Sequence, residues 1–168
     1  MTTIKSQYYF TALDNFPYNI PECMEALNYA LSYDNHDADA LCLLGRVYSE
    51  ILLDYEKAKQ YFEEALQNDL MNINTPQFYL MCLLNNEDYM EAEKLINFSL
   101  KIKGIDKSNI WYHRAVLSEM RGSLLNSLYF LREAKKFCFN QSSLDFMEAR
   151  EKFVRSKMQK KKIKKETK

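Results

Sequence analysis

Few side chains in this 168-residue chain are of types that carry chemistry, and their spacing assembles none of them into a working set. His36 and His113 are the only histidines, and His36 sits in the turn Asp34-Asn35-His36-Asp37, where polar residues are expected for local backbone hydrogen bonding alone. A metal site needs several ligands at short spacing, and no such set is visible around either histidine. Cys23, Cys42, Cys82 and Cys138 form no C-x-x-C pair, so they read as reduced thiols rather than as disulfides or metal ligands. A G-x-S-x-G elbow, a glycine-rich phosphate loop and an H-E-x-x-H pair are all missing from the sequence. The paired carboxylates Glu63-Glu64 and Glu91/Glu93 fall on outer helix faces, where water solvates them. The expectation is a chain that is not an enzyme and holds neither cofactor nor metal.

What organises the sequence is a long period. Residues 23, 58, 92 and 127 are Cys, Ala, Ala and Ser, and residues 30, 65, 99 and 134 are Ala, Ala, Ser and Ala. Between the two columns stand Leu27, Phe62, Ile96 and Leu131, each four residues after one small side chain and three before the next. That is helical spacing, so one small-large-small helical face recurs every 34 or 35 residues. Small residues let helices approach, and the large one fills the space beside the contact.

The segment from Asp37 to Asp69 resembles a tetratricopeptide repeat position by position. Leu41, Leu44, Gly45 and Tyr48 stand at the family's first-helix positions, and Tyr55, Ala58, Phe62 and Ala65 at those of the second helix. One extra residue separates Tyr48 from Ala58, which a turn at Leu53-Asp54-Tyr55 can absorb. Residues 73–103 keep Asp88-Tyr89, Ala92, Ile96 and Ser99 but carry Leu80 where a small residue is usual, so that repeat's first helix should pack differently. Residues 108–139 show Trp111, Ala115, Gly122, Ser127, Leu131 and Ala134. Residues 4–35 offer Phe10, Thr11, Ile20, Cys23, Leu27 and Ala30, with Pro17 and Pro21 at the turn, where proline can open a helix without losing a needed N–H. After Asn140-Gln141-Ser142-Ser143, a stripe of Phe146, Met147, Arg150, Phe153, Val154 and Met158 reads as the capping helix, 142–158, that a terminal repeat requires. The fold class expected is all-α: a right-handed superhelical array of about four tetratricopeptide-like hairpins plus a C-terminal capping helix, in a single domain over residues 1–158.

The resemblance also implies a concave groove lined by the first helices. It carries over to Tyr8, Ala12 and Asn15; to Asp39, Cys42, Arg46 and Ser49; to Asn74, Gln77, Met81 and Asn85; and to Asn109, Tyr112, Val116 and Glu119. Amides in this lining can bond a peptide backbone, Tyr and Met can meet apolar side chains, and Arg46 is the cation expected to meet an acidic side chain or a backbone carbonyl of the ligand. Family members that clamp a C-terminal carboxylate use Lys and Asn at set positions, where this chain has Tyr8, Ala12, Cys42, Leu43, Asn74 and Phe78 instead. The groove therefore suits an extended or helical segment of a protein partner rather than a clamped C-terminus.

A net charge of zero conceals segregation. Residues 1–149 hold 13 basic and 21 acidic side chains, whereas residues 150–168 hold 10 and 2. The run Lys160, Lys161, Lys162, Ile163, Lys164, Lys165 is expected to form a basic flexible tail, 159–168, that either solubilises the chain or contacts an acidic protein, nucleic acid or anionic lipid. Neither a membrane span nor a secretory leader is visible, so a cytoplasmic protein is expected. Two functions fit: a scaffold, adaptor or small subunit of a larger assembly, or a cytosolic chaperone for secreted clients. The stretch from Pro76 through Cys82-Leu83-Leu84 to Glu91-Ala92-Glu93 resembles the third repeat of small secretion chaperones of the tetratricopeptide type, although these usually have three repeats. Oligomeric state cannot be read from the residues.

Overall fold

A computed structural model describes residues 4–166, and the side chains of residues 7–160. Among them every regular element is helical: α1 (Ile4–Asn15), α2 (Ile20–Tyr33), α3 (Ala38–Arg46), α4 (Tyr55–Asn68), α5 (Thr75–Asn85), α6 (Tyr89–Ser99), α7 (Lys107–Met120), α8 (Leu124–Lys135) and α9 (Gln141–Glu166). The chain divides after Asp88 into two compact units, one holding α1–α5 and the other α6–α9. The boundary falls inside the segment read from sequence as the third repeat.

The periodic columns are the core. Cys23, Ala30, Ala58, Ala65, Ala92, Ser99, Ser127 and Ala134 are all buried, as are Leu27, Phe62, Ile96 and Leu131. In the first unit, Gly45 on α3 faces the Phe62 ring of α4 so closely that a Cβ built there would lie 2.9 Å from two ring carbons. Phe62 in turn stacks on Tyr79 of α5, with centroids 5.4 Å apart. In the second, Ala115 of α7 packs with Leu128, Leu131 and Ala134 of α8 and with Met147 and Val154 of α9.

Helix starts follow short polar side chains. Asp37 accepts from the amides of Asp39 and Ala40, Asp54 from that of Lys57, and Asp106 from that of Asn109. Pro21 and Pro76 occupy first-turn positions of α2 and α5, where the missing N–H would be unpaired in any case. The start of α5 is organised from outside the helix: Asn72 Oδ1 accepts from the amides of Asn74 and Thr75 and from the Thr75 hydroxyl, while its Nδ2 donates to Asp39 Oδ1 at 3.0 Å.

The extra residue of the second hairpin is absorbed at two points. After Arg46 the helix loosens into a π-helical turn over Val47–Ile51, in which Leu52 N–H reaches back five residues to Val47 O at 3.1 Å. Leu53 then takes a positive φ of 55°, and Asp54 N–H bonds Tyr48 O at 2.9 Å. The sequence reading placed the adjustment wholly in the turn.

Helix α9 begins where the capping helix was expected but is continuous to Glu166 instead of ending near 158. Unbranched lysines are good helix formers, and cations suit a helix C-terminus, so the lysine run extends the helix. Lys160 is exposed. The side chains of Lys161, Lys162, Lys164 and Lys165 lie outside the described residues. On the capping face Met147 and Val154 are buried, whereas Phe146 and Phe153 remain half exposed.

Candidate functional site

In the first unit, α1, α3 and α5 together line a cleft of about 180 Å³. Asp39, Cys42, Arg46, Asn74 and Gln77, all expected on the groove face, line it, and Leu43, Tyr9, Leu13 and Phe78 complete it. Tyr8 and Asn15 do not line it. Tyr8 stacks on Tyr29 and Tyr33 of α2, at 5.3 and 5.8 Å, and Asn15 Nδ2 bonds the Thr11 carbonyl of its own helix. The reason is register: Ala12, expected in the lining, is fully buried at the α1–α2 crossing. Ala12 thus occupies in α1 the place that Gly45 holds in α3, which puts Tyr9 and Leu13 where Cys42 and Arg46 stand. Matching Ala12 to Gly45 would have revealed this.

Arg46 is not the free cation that the sequence suggested. Its guanidinium lies between the rings of Phe16 (4.4 Å) and Phe78 (4.0 Å), and its Nε donates to Glu50 Oε1 at 2.8 Å. It fastens the cleft's rim, with its charge already met by a carboxylate one helical turn away. Ser49 is buried, its hydroxyl donating to the Arg46 carbonyl, because the π-helical turn rotates it inward. Met81 is exposed but lies beyond the cleft lining. Burial pushes the Cys42 thiol up to about 11, so it is protonated and unreactive at neutral pH. Burial likewise raises the Tyr9 phenol, with the Asp39 carboxylate acting in the same direction.

In the second unit three of the four side chains that the sequence reading placed on the groove face of α7, Asn109, Tyr112 and Glu119, are drawn into packing. Asn109 Oδ1 is buried without a hydrogen-bond partner, and the Asn109 carbonyl is bonded by His113 Nδ1 at 2.9 Å. Burial holds His113 below the usual histidine range, in its neutral form. Tyr112 lies 5.1 Å from the Phe146 ring of α9. Glu119, buried, accepts from Arg150 Nη2 and Lys157 Nζ of α9, both at 2.5 Å. Sequence reasoning placed Glu119 in a groove because it had no means of seeing that two cations of α9 would cover it.

Among the described residues no cluster of three or more His, Cys, Asp or Glu side chains could hold a metal ion. No helix among them is long and apolar enough to cross a membrane. His36 Nδ1 pairs with Asn68 Oδ1 at 3.0 Å, joining the α2–α3 turn to the end of α4. These are structural roles.

No family model matches the chain, and no curated protein matches it in sequence. Solved structures do match. PilF of Pseudomonas aeruginosa superposes with a TM-score of 0.79 at 18% identity, over 93% of this chain and 69% of that one. MamA of Desulfovibrio magneticus RS-1 gives 0.68 at 15% identity, over 95% and 94%. A chain in the structure of Naa15/Naa10 bound to HypK-THB gives 0.53 at 16% identity over 82% of this chain, which spans only 26% of its length. At such identities the likeness carries fold and nothing finer. Together with the buried small-large-small columns, it shows that the chain has the all-α fold of the tetratricopeptide-repeat proteins.

Proposed function

We propose that the chain is a protein-interaction scaffold whose first unit holds a segment of a partner protein in the cleft between α1, α3 and α5. The observation that carries this reading is the gathering of Asp39, Asn74 and Gln77 with Tyr9, Leu13 and Phe78 in one concave lining. Amides for a backbone stand there beside apolar surface for side chains. Because Glu50 already neutralises Arg46, the lining's uncompensated formal charge is that of Asp39. The favoured segment is therefore neutral or basic with an apolar anchor, rather than one that brings an acidic side chain to Arg46, which was one of the two options the sequence offered. Structures of the same fold include that of Naa15/Naa10 bound to HypK-THB, which agrees with a protein partner.

The test is capture of the native partner from the source cells with the full chain and with Gln77→Arg, a half-exposed position where a long cation fills the cleft without disturbing the core. A partner set that wild type retains and Gln77→Arg loses supports cleft binding. Equal capture by both places the interface elsewhere. A secreted, apolar client in the retained set would make the protein a chaperone, and fixed stoichiometric subunits would make it an assembly component.

A further inference from the structure

The division of the chain after Asp88 coincides with a division of charge. Residues 1–88 carry 4 basic and 14 acidic side chains, a balance of −10, and residues 89–168 carry 19 and 9, a balance of +10. Half of the second unit's balance, +5, lies in residues 89–159 and the other half in the lysine-rich end, residues 160–168.

Within it, the α6–α7 and α8–α9 connections enclose an open cleft of about 330 Å³ lined by Gly104, Ile105, Asp106, Lys107, Phe137 and Phe139. The two phenylalanines are displayed by a fixed loop. Cys138 between them is turned toward the body, its Sγ 3.2 Å from Ser108 Oγ and 3.7 Å from the Ala134 carbonyl, while Phe139 is 81% exposed and Phe137 42%. Lys107 Nζ stands 5.6 Å from the Phe137 ring centre. Lys101 and Lys103, on the turn that leads into Gly104, are exposed and in no ion pair among the described residues. Asp106, the acidic member of the lining, has its carboxylate engaged by the amide of Asn109 in capping α7.

We propose that this cleft binds single-stranded nucleic acid, with bases stacked on Phe139 and Phe137 and backbone phosphates met by Lys101, Lys103 and Lys107. Exposed flat rings beside unpaired cations, in a unit of net charge +10, match the two requirements of a single strand: a π-face for each base and neutralisation for each phosphate. An acidic peptide would satisfy the lysines. It would find few groups here for its backbone, because the cleft offers rings and ammonium groups rather than amides.

The test uses the full chain and a fluorescein-labelled 12-nucleotide oligouridine, followed by anisotropy at several salt concentrations. Phe139→Ala and Phe137→Ala should each weaken binding about tenfold, as loss of one stacked base does. Lys103→Ala and Lys107→Ala should each flatten the salt dependence by about 0.7 in log–log slope. Leu125→Ala, at an equally exposed apolar position on α8, should change nothing. Replacing Lys161, Lys162, Lys164 and Lys165 by Ala should lower affinity while leaving the Phe139 effect intact. The proposal is overturned if wild type does not bind the oligomer. It is equally overturned if Phe139→Ala binds as wild type does, or if a 12-base-pair duplex binds as tightly as the single strand. Displacement of the oligomer by polyglutamate at equal charge concentration, with the same Phe139 dependence, would reassign the cleft to acidic peptides.

Discussion

The contact between Gly45 and Phe62 allows a quantitative test of how the first unit is packed. Replacing Gly45 with Ala puts a methyl group 2.9 Å from Cδ1 and Cε1 of Phe62 and 3.1 Å from Cγ. Ordinary carbon–carbon contact begins near 3.5 Å, so the ring must retreat by roughly half an ångström. It has nowhere to go: Phe62 is fully buried and its other face stacks on Tyr79. Overpacking of this kind costs about 1–3 kcal/mol, and contact with two ring atoms backed by a second ring belongs in the upper half of that range. Opposing it, Ala is about 1 kcal/mol better than Gly within a helix. The difference leaves Gly45→Ala about 1–2 kcal/mol less stable, a fall in Tm of about 2–8 °C if the chain melts as a whole and about 4–16 °C if the first unit melts by itself. Circular dichroism or calorimetry measures it. The double variant Gly45→Ala with Phe62→Leu should lose less than the sum of the two single variants, because a shorter side chain relieves the clash that the methyl group creates. If Gly45→Ala melts at or above the wild-type temperature, helix propensity outweighs packing here and the close α3–α4 contact does not govern stability.

Other perturbations follow from the same geometry. Arg46→Ala removes the cation from between Phe16 and Phe78 as well as its bond to Glu50, and should cost about 1–3 kcal/mol in thermal melting; Arg46→Lys should not restore it, because an ammonium group cannot stack flat on two rings. Lys59 bonds Asp88 Oδ2 at 2.8 Å and holds that carboxyl below its ordinary 3.8. The unfolded chain therefore takes up this proton first as pH falls, so the contribution is complete above about pH 4 and is lost below it. Lys59→Met should remove that part of the acid limb in a Tm-against-pH series and cost about 1.5–3 kcal/mol at pH 7. His113, held below 6.5 by burial, has the same sign: stability should fall as pH drops beneath 6.5, by at most about 1.4 kcal/mol per pH unit, and His113→Gln should abolish that slope. A slope unchanged by the substitution would refute the neutral, buried imidazole.

The core was legible because it is periodic: a column such as Cys23, Ala58, Ala92 and Ser127 repeats four times, and its burial follows from helix crossings alone. The cleft was legible where a hairpin was close to the repeat pattern, at Asp39, Arg46, Asn74 and Gln77. It was misjudged by one residue in α1, where Ala12 lacks the flanking pattern that identifies Gly45. The fate of charged side chains was not legible. Whether Arg46 meets a ligand or Glu50, and whether Glu119 faces a groove or two cations of α9, depends on contacts between residues four to thirty-eight apart, which no column records. Asn72 was overlooked for a related reason: its role at the start of α5 is shared with Asp39, thirty-three residues away.

The π-helical turn after Arg46 has a consequence for how such chains change length over time. One residue inserted in a regular helix turns everything beyond it through about 100°, which would carry a buried face into water. Here the surplus is taken up by one wide turn and by Leu53 at positive φ, and Ala58, Phe62 and Ala65 arrive on the inside as though nothing had been added. The loop behaves as a phase corrector, cancelling an error of one residue before it spreads. Removal of Leu52 should accordingly be tolerated if the turn reverts to ordinary α geometry, whereas the same deletion at Tyr61, in mid-helix, would throw Phe62 and Ala65 off the core. Gain and loss of single residues in a repeat array of this kind should therefore accumulate at such corners, leaving the spacing within each helix almost untouched.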